Sequence, residues 1–137
     1  MAINRQPAGT ENWYIQSRMT GTKYMATNSW NAEATSSPNE WDFNNGWYSS
    51  TSDHSNQLSW MWKRHAGFDV VTYKSPGGDN FAVNHSLGKI PEMMWIKRRG
   101  GSANWTVYHK GLNGGTNPQN YGLYLNSTSA EVDDYGF

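Results

Sequence analysis

The residues best equipped for chemistry are aromatic rather than ionic. Trp30, Trp41, Trp47 and Tyr48 stand in Asn- and Ser-rich surroundings where full burial is not expected. A sugar ring presents apolar C–H faces that stack on a flat indole or phenol, while nearby amides and hydroxyls bind its hydroxyl groups. These four residues form the candidate ligand platform, and a glycan is the candidate ligand. The competing role for any tryptophan is core packing. That role is the expectation for Trp60, Trp62, Trp95 and Trp105, which sit in alternating apolar runs.

Catalytic chemistry finds less support. The chain has no Gly-x-Ser-x-Gly elbow, no phosphate-cradling glycine loop and no His-Glu-x-x-His. His54, His65, His85 and His109 are scattered without the spacing of metal ligands. The stretch "DFNNG" (42–46) resembles an oxygen-ligand calcium loop but lacks the distal glutamate, so an Asx turn is expected there. Glu92, Glu131, Asp133 and Asp134 are the carboxylates that a glycosidase pair would draw on, yet nothing favours any two of them. Solvated turn positions are their default. No catalytic residue, metal ligand or cofactor site is therefore assigned, and the chain is read as non-enzymatic.

Composition narrows the partners. The 137 residues hold 11 Lys plus Arg against 11 Asp plus Glu, so the formal charge is zero. A neutral surface argues against nucleic acid gripped by its phosphates and against an anionic membrane face. No run approaches the roughly 20 apolar residues of a membrane span, and the first 13 residues lack the apolar stretch of a signal peptide. With no cysteine, the fold needs no oxidising compartment and tolerates one. Eight Trp, eight Tyr, four Phe and 14 Gly, with much Asn, Ser and Thr, suit aromatic strands joined by tight turns.

The elements that must position the platform are strands. "QLSWMWK" (57–63), "GFDVVTYK" (67–74), "EMMWIKR" (92–98), "NWTVYHK" (104–110) and "YGLYLNST" (121–128) alternate with period two. Turn signals separate them at 75–80, 86–91, 99–104 and 111–118, and no window of ten residues carries a helical stripe. An all-β antiparallel sandwich of jelly-roll or lectin-like type is expected.

The chain also echoes itself. Ile3, Arg5, Gly9, Asn12 and Trp13 match Ile96, Arg98, Gly101, Asn104 and Trp105 with one gap. "YMATNSWNAEA" (24–34) resembles "YLNSTSAEV" (124–132), and Gly46–Trp47 resembles Gly136–Phe137. At a period of 90 to 93 this divides the chain into residues 1–66, the second half of one unit of about 90 residues, and 67–137, the first half of the next. The two halves are expected to assemble into one β domain. The basic run Lys97–Arg99 is too short for a nucleic-acid patch and reads as an exposed strand end that blunts an edge or pairs with a neighbour.

Gly67 to Tyr73, His85, Leu87, Gly88, Pro91, Met93 to Lys97 and Asn104 to His109 together make a recognisable pattern. It resembles a repeated module of structural proteins of tailed bacteriophages, marine and cyanobacterial ones especially, found in tail and fibre-like proteins. The resemblance implies a structural protein of the virion with no catalytic residues to carry over. Its partners would be other virion proteins or copies of itself, a trimer among the expected forms, with a host-surface glycan as candidate ligand. A purely architectural capsid-decorating protein is the alternative, and a polysaccharide depolymerase a weaker one. Read locally, Gly88 permits positive φ, Pro91 fixes φ before the next strand, and a His85 ring nitrogen holds a loop carbonyl.

Overall fold

The computed structural model describes residues 1–35, 39–40, 46, 48–49, 57–77, 81–133 and 137. Among the described residues the chain is all-β, with two larger antiparallel sheets and a separate two-stranded pair, and its helical pieces are short 3-10 turns. In chain order the strands are β1 (Ala2–Arg5), β2 (Tyr14–Gln16), β3 (Lys23–Ala26), β4 (Ala34–Thr35), β5 (Asn39–Glu40) and β6 (Tyr48–Ser49). They continue with β7 (Leu58–Met61), β8 (Met93–Ile96), β9 (Thr106–His109), β10 (Tyr121–Tyr124) and β11 (Val132–Asp133).

The first sheet runs β4-β3-β2-β1-β7. Its first four strands form a meander, and β7 returns along a long connection to lie beside β1, as in a Greek key. The second sheet, β11-β10-β9-β8, is a meander alone, while β5 and β6 pair with each other. Turn chemistry sets the hairpins. Between β2 and β3 the Thr20 hydroxyl donates to the Ser17 carbonyl at 2.8 Å and accepts the Ser17 amide at 3.0 Å. Gly21 then takes a φ of +59° that an L side chain rarely adopts.

Four of the five alternating runs contain the strands β7, β8, β9 and β10. The fifth, "GFDVVTYK", does not become a strand: after an isolated His65–Phe68 bridge, no described residue from 69 to 92 is in one. Asp69 supplies the physical reason. Its carboxylate, 3% exposed, accepts the Ser86 amide at 2.7 Å, the Ser86 hydroxyl at 2.8 Å and the Val70 amide at 2.8 Å, with Arg64 paired beside it. These bonds, the Ser86 amide foremost, hold its carboxyl below the usual aspartate range. A side chain that satisfies loop amides so fully competes with a strand ladder.

The core is small and shared by both sheets. Ile3 of β1 and Ile15 of β2 pack with Trp105, which lies just before β9, and Met1, Trp13 and Met25 close around them. Trp105 is 3% exposed, and its indole N–H donates to the Ala26 carbonyl at 2.8 Å. The expectation of core packing holds for Trp105 and fails for its three companions. Trp60 on β7, Trp95 on β8 and Trp62 just past β7 keep 38–39% of their surface open, β7 and β8 being the outermost described strands of their sheets. Trp60 stacks on Trp13 at 5.0 Å, and the Arg5 guanidinium lies 4.8 Å from the centre of the Trp13 ring. Trp62 stacks on Phe68 at 6.1 Å.

The two meanders share one register. Ile3 pairs with Ile15 as Trp95 pairs with Val107, an offset of 92. Tyr14 pairs with Ala26 as Thr106 with Tyr124, and Lys23 with Thr35 as Tyr121 with Asp133, the second member of each first pair being displaced by 98. The correspondence therefore needs no gap in the first strand, and Ile3 answers to Trp95 rather than to Ile96. The six extra residues fall between β9 and β10, where "GLNGGTNPQN" (111–120) holds two 3-10 turns, with Asn113 and Asn117 at positive φ. The Gly46–Trp47 and Gly136–Phe137 echo includes Trp47 and Gly136, which lie outside the described residues, as do Asp134 and most of "DFNNG".

Candidate functional site: a polar groove at the seam between the halves

The site begins with two asparagine clamps. Asn28 accepts the Trp13 amide at 3.0 Å on Oδ1 and donates from Nδ2 to Asn12 at 3.0 Å. Asn126 does the same for the Trp105 amide at 2.8 Å and Asn104 at 2.9 Å. Each clamp fixes the chain as it leaves one strand and enters the next. Beyond each, a Ser hydroxyl accepts the amide two residues on, Ser29 that of Asn31 and Ser127 that of Ser129, both at 3.1 Å.

Between the clamps lies a groove of about 410 Å³ lined by Asn28, Ser29 and Trp30 on one side and Asn104, Tyr124, Asn126, Ser127 and Ser129 on the other. It is open and mostly polar, and its lining contains no carboxylate, lysine or arginine. The Ser127 and Ser129 hydroxyls lie 2.9 Å apart. Sharing one hydrogen leaves that pair with a second hydrogen and spare lone pairs. Trp30 is 65% exposed, yet its backbone is held: its carbonyl accepts the Ala103 amide at 2.9 Å and the Lys97 ammonium at 3.3 Å. A fixed backbone under an open indole is a suitable platform for an apolar ring face.

A charged seam holds that loop in place. The Glu33 amide donates to the Arg99 carbonyl at 3.0 Å, and the Glu33 carboxylate meets Arg99 Nε at 2.6 Å and Lys23 Nζ at 3.3 Å. The basic run follows the end of β8 and pairs with a neighbouring element, one of the two roles its sequence suggested. Lys97 and Arg99 bind across the seam, Lys97 also donating to the Arg98 carbonyl at 2.8 Å. Burial, then Arg98, lowers the Lys97 pKa.

Burial alone would raise the Glu33 pKa, but the bonds and charge of Arg99, then those of Lys23, outweigh it and leave it depressed. A depressed carboxyl contributes stability above its unfolded pKa, about 4.3, and loses it as pH falls through the folded value. Wild-type protein should therefore lose urea stability between about pH 4.3 and the folded pKa, and Glu33→Gln should flatten that part of the profile. Equal slopes in the two proteins would show that ionisation of Glu33 contributes nothing to stability.

Among the sequence candidates, Trp30 is placed on the groove. Trp41 and Trp47 lie outside the described residues, and of Tyr48 only its place in β6, opposite Glu40, is described. His85 acts differently from its expectation: Nδ1 accepts the Leu87 amide at 3.2 Å rather than holding a carbonyl, as His109 Nδ1 does for Gly111 at 3.1 Å. Gly88 has the expected positive φ, +68°, and Pro91 precedes β8 by two residues. Glu92 pairs with Lys110 at 2.7 Å, and Glu131 accepts the Asn113 amide at 2.9 Å. Among the described residues, no three His, Cys, Asp or Glu converge on a common point, and no helix is long and apolar enough to cross a membrane. Tyr124, Ser127, Ser129 and the clamps escaped sequence reasoning, although the recurring Asn-Trp and Asn-Ser pairs (12–13 with 28–29, 104–105 with 126–127) marked them.

A family profile described as "Domain of unknown function (DUF7483)" matches residues 19–136. No curated protein matches the chain, and no solved structure does.

Proposed function

We propose, from the premise that the chain belongs to the DUF7483 family and takes no assigned activity from it, that it is a non-enzymatic, lectin-like β module that binds a neutral glycan. The observation that carries the reading is the open Trp30 indole at the rim of a polar groove without charged groups. A stacked pyranose would cover the indole face while its hydroxyls meet the Ser and Asn side chains. An acidic sugar or a phosphate would call for a cation in the groove, and the nearby Lys97 is engaged with carbonyls.

The setting proposed for this binding is a phage virion, in a tail fibre or similar appendage that meets the host surface, and it rests on the pattern of residues 67–109. A purely architectural role is the second reading, favoured by the apolar side chains left open on β7 and β8.

Glycan arrays of neutral host-surface sugars, followed by calorimetry on any hit, test the proposal. Trp30→Ala should weaken binding at least about tenfold, the equivalent of roughly 1.4 kcal/mol, with near-ultraviolet dichroism unchanged. If the unmodified chain retains no sugar, the binding reading is withdrawn and the architectural one stands.

A further inference from the structure

We propose that the outer edge of β8 is a strand-acceptor site, and that its partner is an extended segment of the β7 pattern. The argument starts from the shared register of the two meanders. In the first, the outer edge of β1 is covered by β7, with Ala2 opposite Met61, Ile3 opposite Trp60, Asn4 opposite Ser59 and Arg5 opposite Leu58. In the second, β8 occupies the place of β1, and no described strand pairs with its outer edge. Among the described residues, the same hydrogen-bonding edge is complete in one half and open in the other.

Side-chain burial follows the same difference. Ala2, Ile3 and Asn4 of the covered strand are all buried, Ile3 to 6% exposure. Trp95, which answers to Ile3, is 38% exposed, and its neighbour Met93 is 52% exposed. An apolar edge strand with its amides and carbonyls unpaired is the kind of surface that proteins either blunt or use for pairing. β8 is the longer of the two outermost described strands of this sheet, four residues against the two of β11.

Transferring the β1–β7 pairing onto β8 specifies the occupant. It is antiparallel, with a Trp at the position of Trp60 opposite Trp95 and a Ser at the position of Ser59 opposite Ile96. Main-chain bonds would supply affinity and the alternate aromatic residues would select the register. This inference concerns a different face from the groove and does not depend on glycan binding.

Hydrogen–deuterium exchange of the unmodified chain, with and without a synthetic peptide of residues Gln57–Lys63, tests it. Saturable peptide should slow exchange at Met93–Ile96 by about tenfold or more, while Ala2–Arg5 stays as it was. A peptide carrying Ser59→Pro and Trp60→Lys should give no protection, and because the change is in the peptide, folding of the protein is not at risk. The proposal is overturned if the natural peptide leaves β8 unprotected, or if it loosens Ala2–Arg5 by displacing β7. It is also overturned if β8 is already protected without peptide and loses that protection on dilution, since β8 would then be paired with a second copy of the chain.

Discussion

Trp105→Ala is expected to cost about 3–5 kcal/mol, enough to leave much of the protein unfolded at room temperature. The estimate follows from what the indole does. It is 3% exposed, it packs with Ile3 and Ile15 of the other sheet, and its N–H satisfies the Ala26 carbonyl. Truncation would open a cavity between the sheets and strip a partner from that carbonyl. Trp105→Phe would refill most of the cavity and forfeit the hydrogen bond, so it should recover roughly half of the loss. Urea melts monitored by circular dichroism would give both values. A loss below about 1 kcal/mol for the alanine variant would mean that the two sheets do not share this core.

The second large effect concerns the clamps, and it is a comparison. Asn126→Ala should cost about 2 kcal/mol and Asn28→Ala about half as much, because leaving an amide unpaired is expensive only where water cannot replace the partner. Asn126 caps the amide of buried Trp105, whereas the bonds of Asn28 to Trp13 and Asn12 lie in an exposed setting. The asparagine chemistry is the same at both places, so any difference between the two urea midpoints reports the surroundings. Identical losses would show that the Trp105 amide is as wet as that of Trp13.

Strand positions were the most legible feature of the sequence, because period-two alternation is imposed by the pleat itself. The failure at residues 67–74 is instructive, since Phe68, Val70 and Thr72 alternate as well as any strand. What decides against a ladder there is Asp69, and its partner Ser86 is 17 residues away, beyond the reach of a local pattern. The tryptophans show a related limit. Alternation identifies a face of a strand but does not say whether a second layer covers it, so Trp60 and Trp105 looked alike.

For the site, Trp30 was legible from its polar neighbours, and the groove beside it was not. The groove exists because two distant Asn-Trp/Asn-Ser pairs are brought side by side, and sequence shows each pair only singly. The partner of the basic run was hidden for the same reason: Glu33, which pairs with Arg99, is 66 residues away.

The seam has a consequence for how the chain reaches its native state. Hairpins within each meander join residues a short distance apart, so they close at small entropic cost. The contacts between the halves, Lys97 with the Trp30 carbonyl and Trp105 with Ala26, span 67 and 79 residues. Loop closure over that distance must be met before the contacts return any stabilisation, and such non-local pairing slows folding. The groove is built from both halves, so it takes shape only at that last step. The local hairpins can form before it, and a chain that has completed only those has not yet formed the groove.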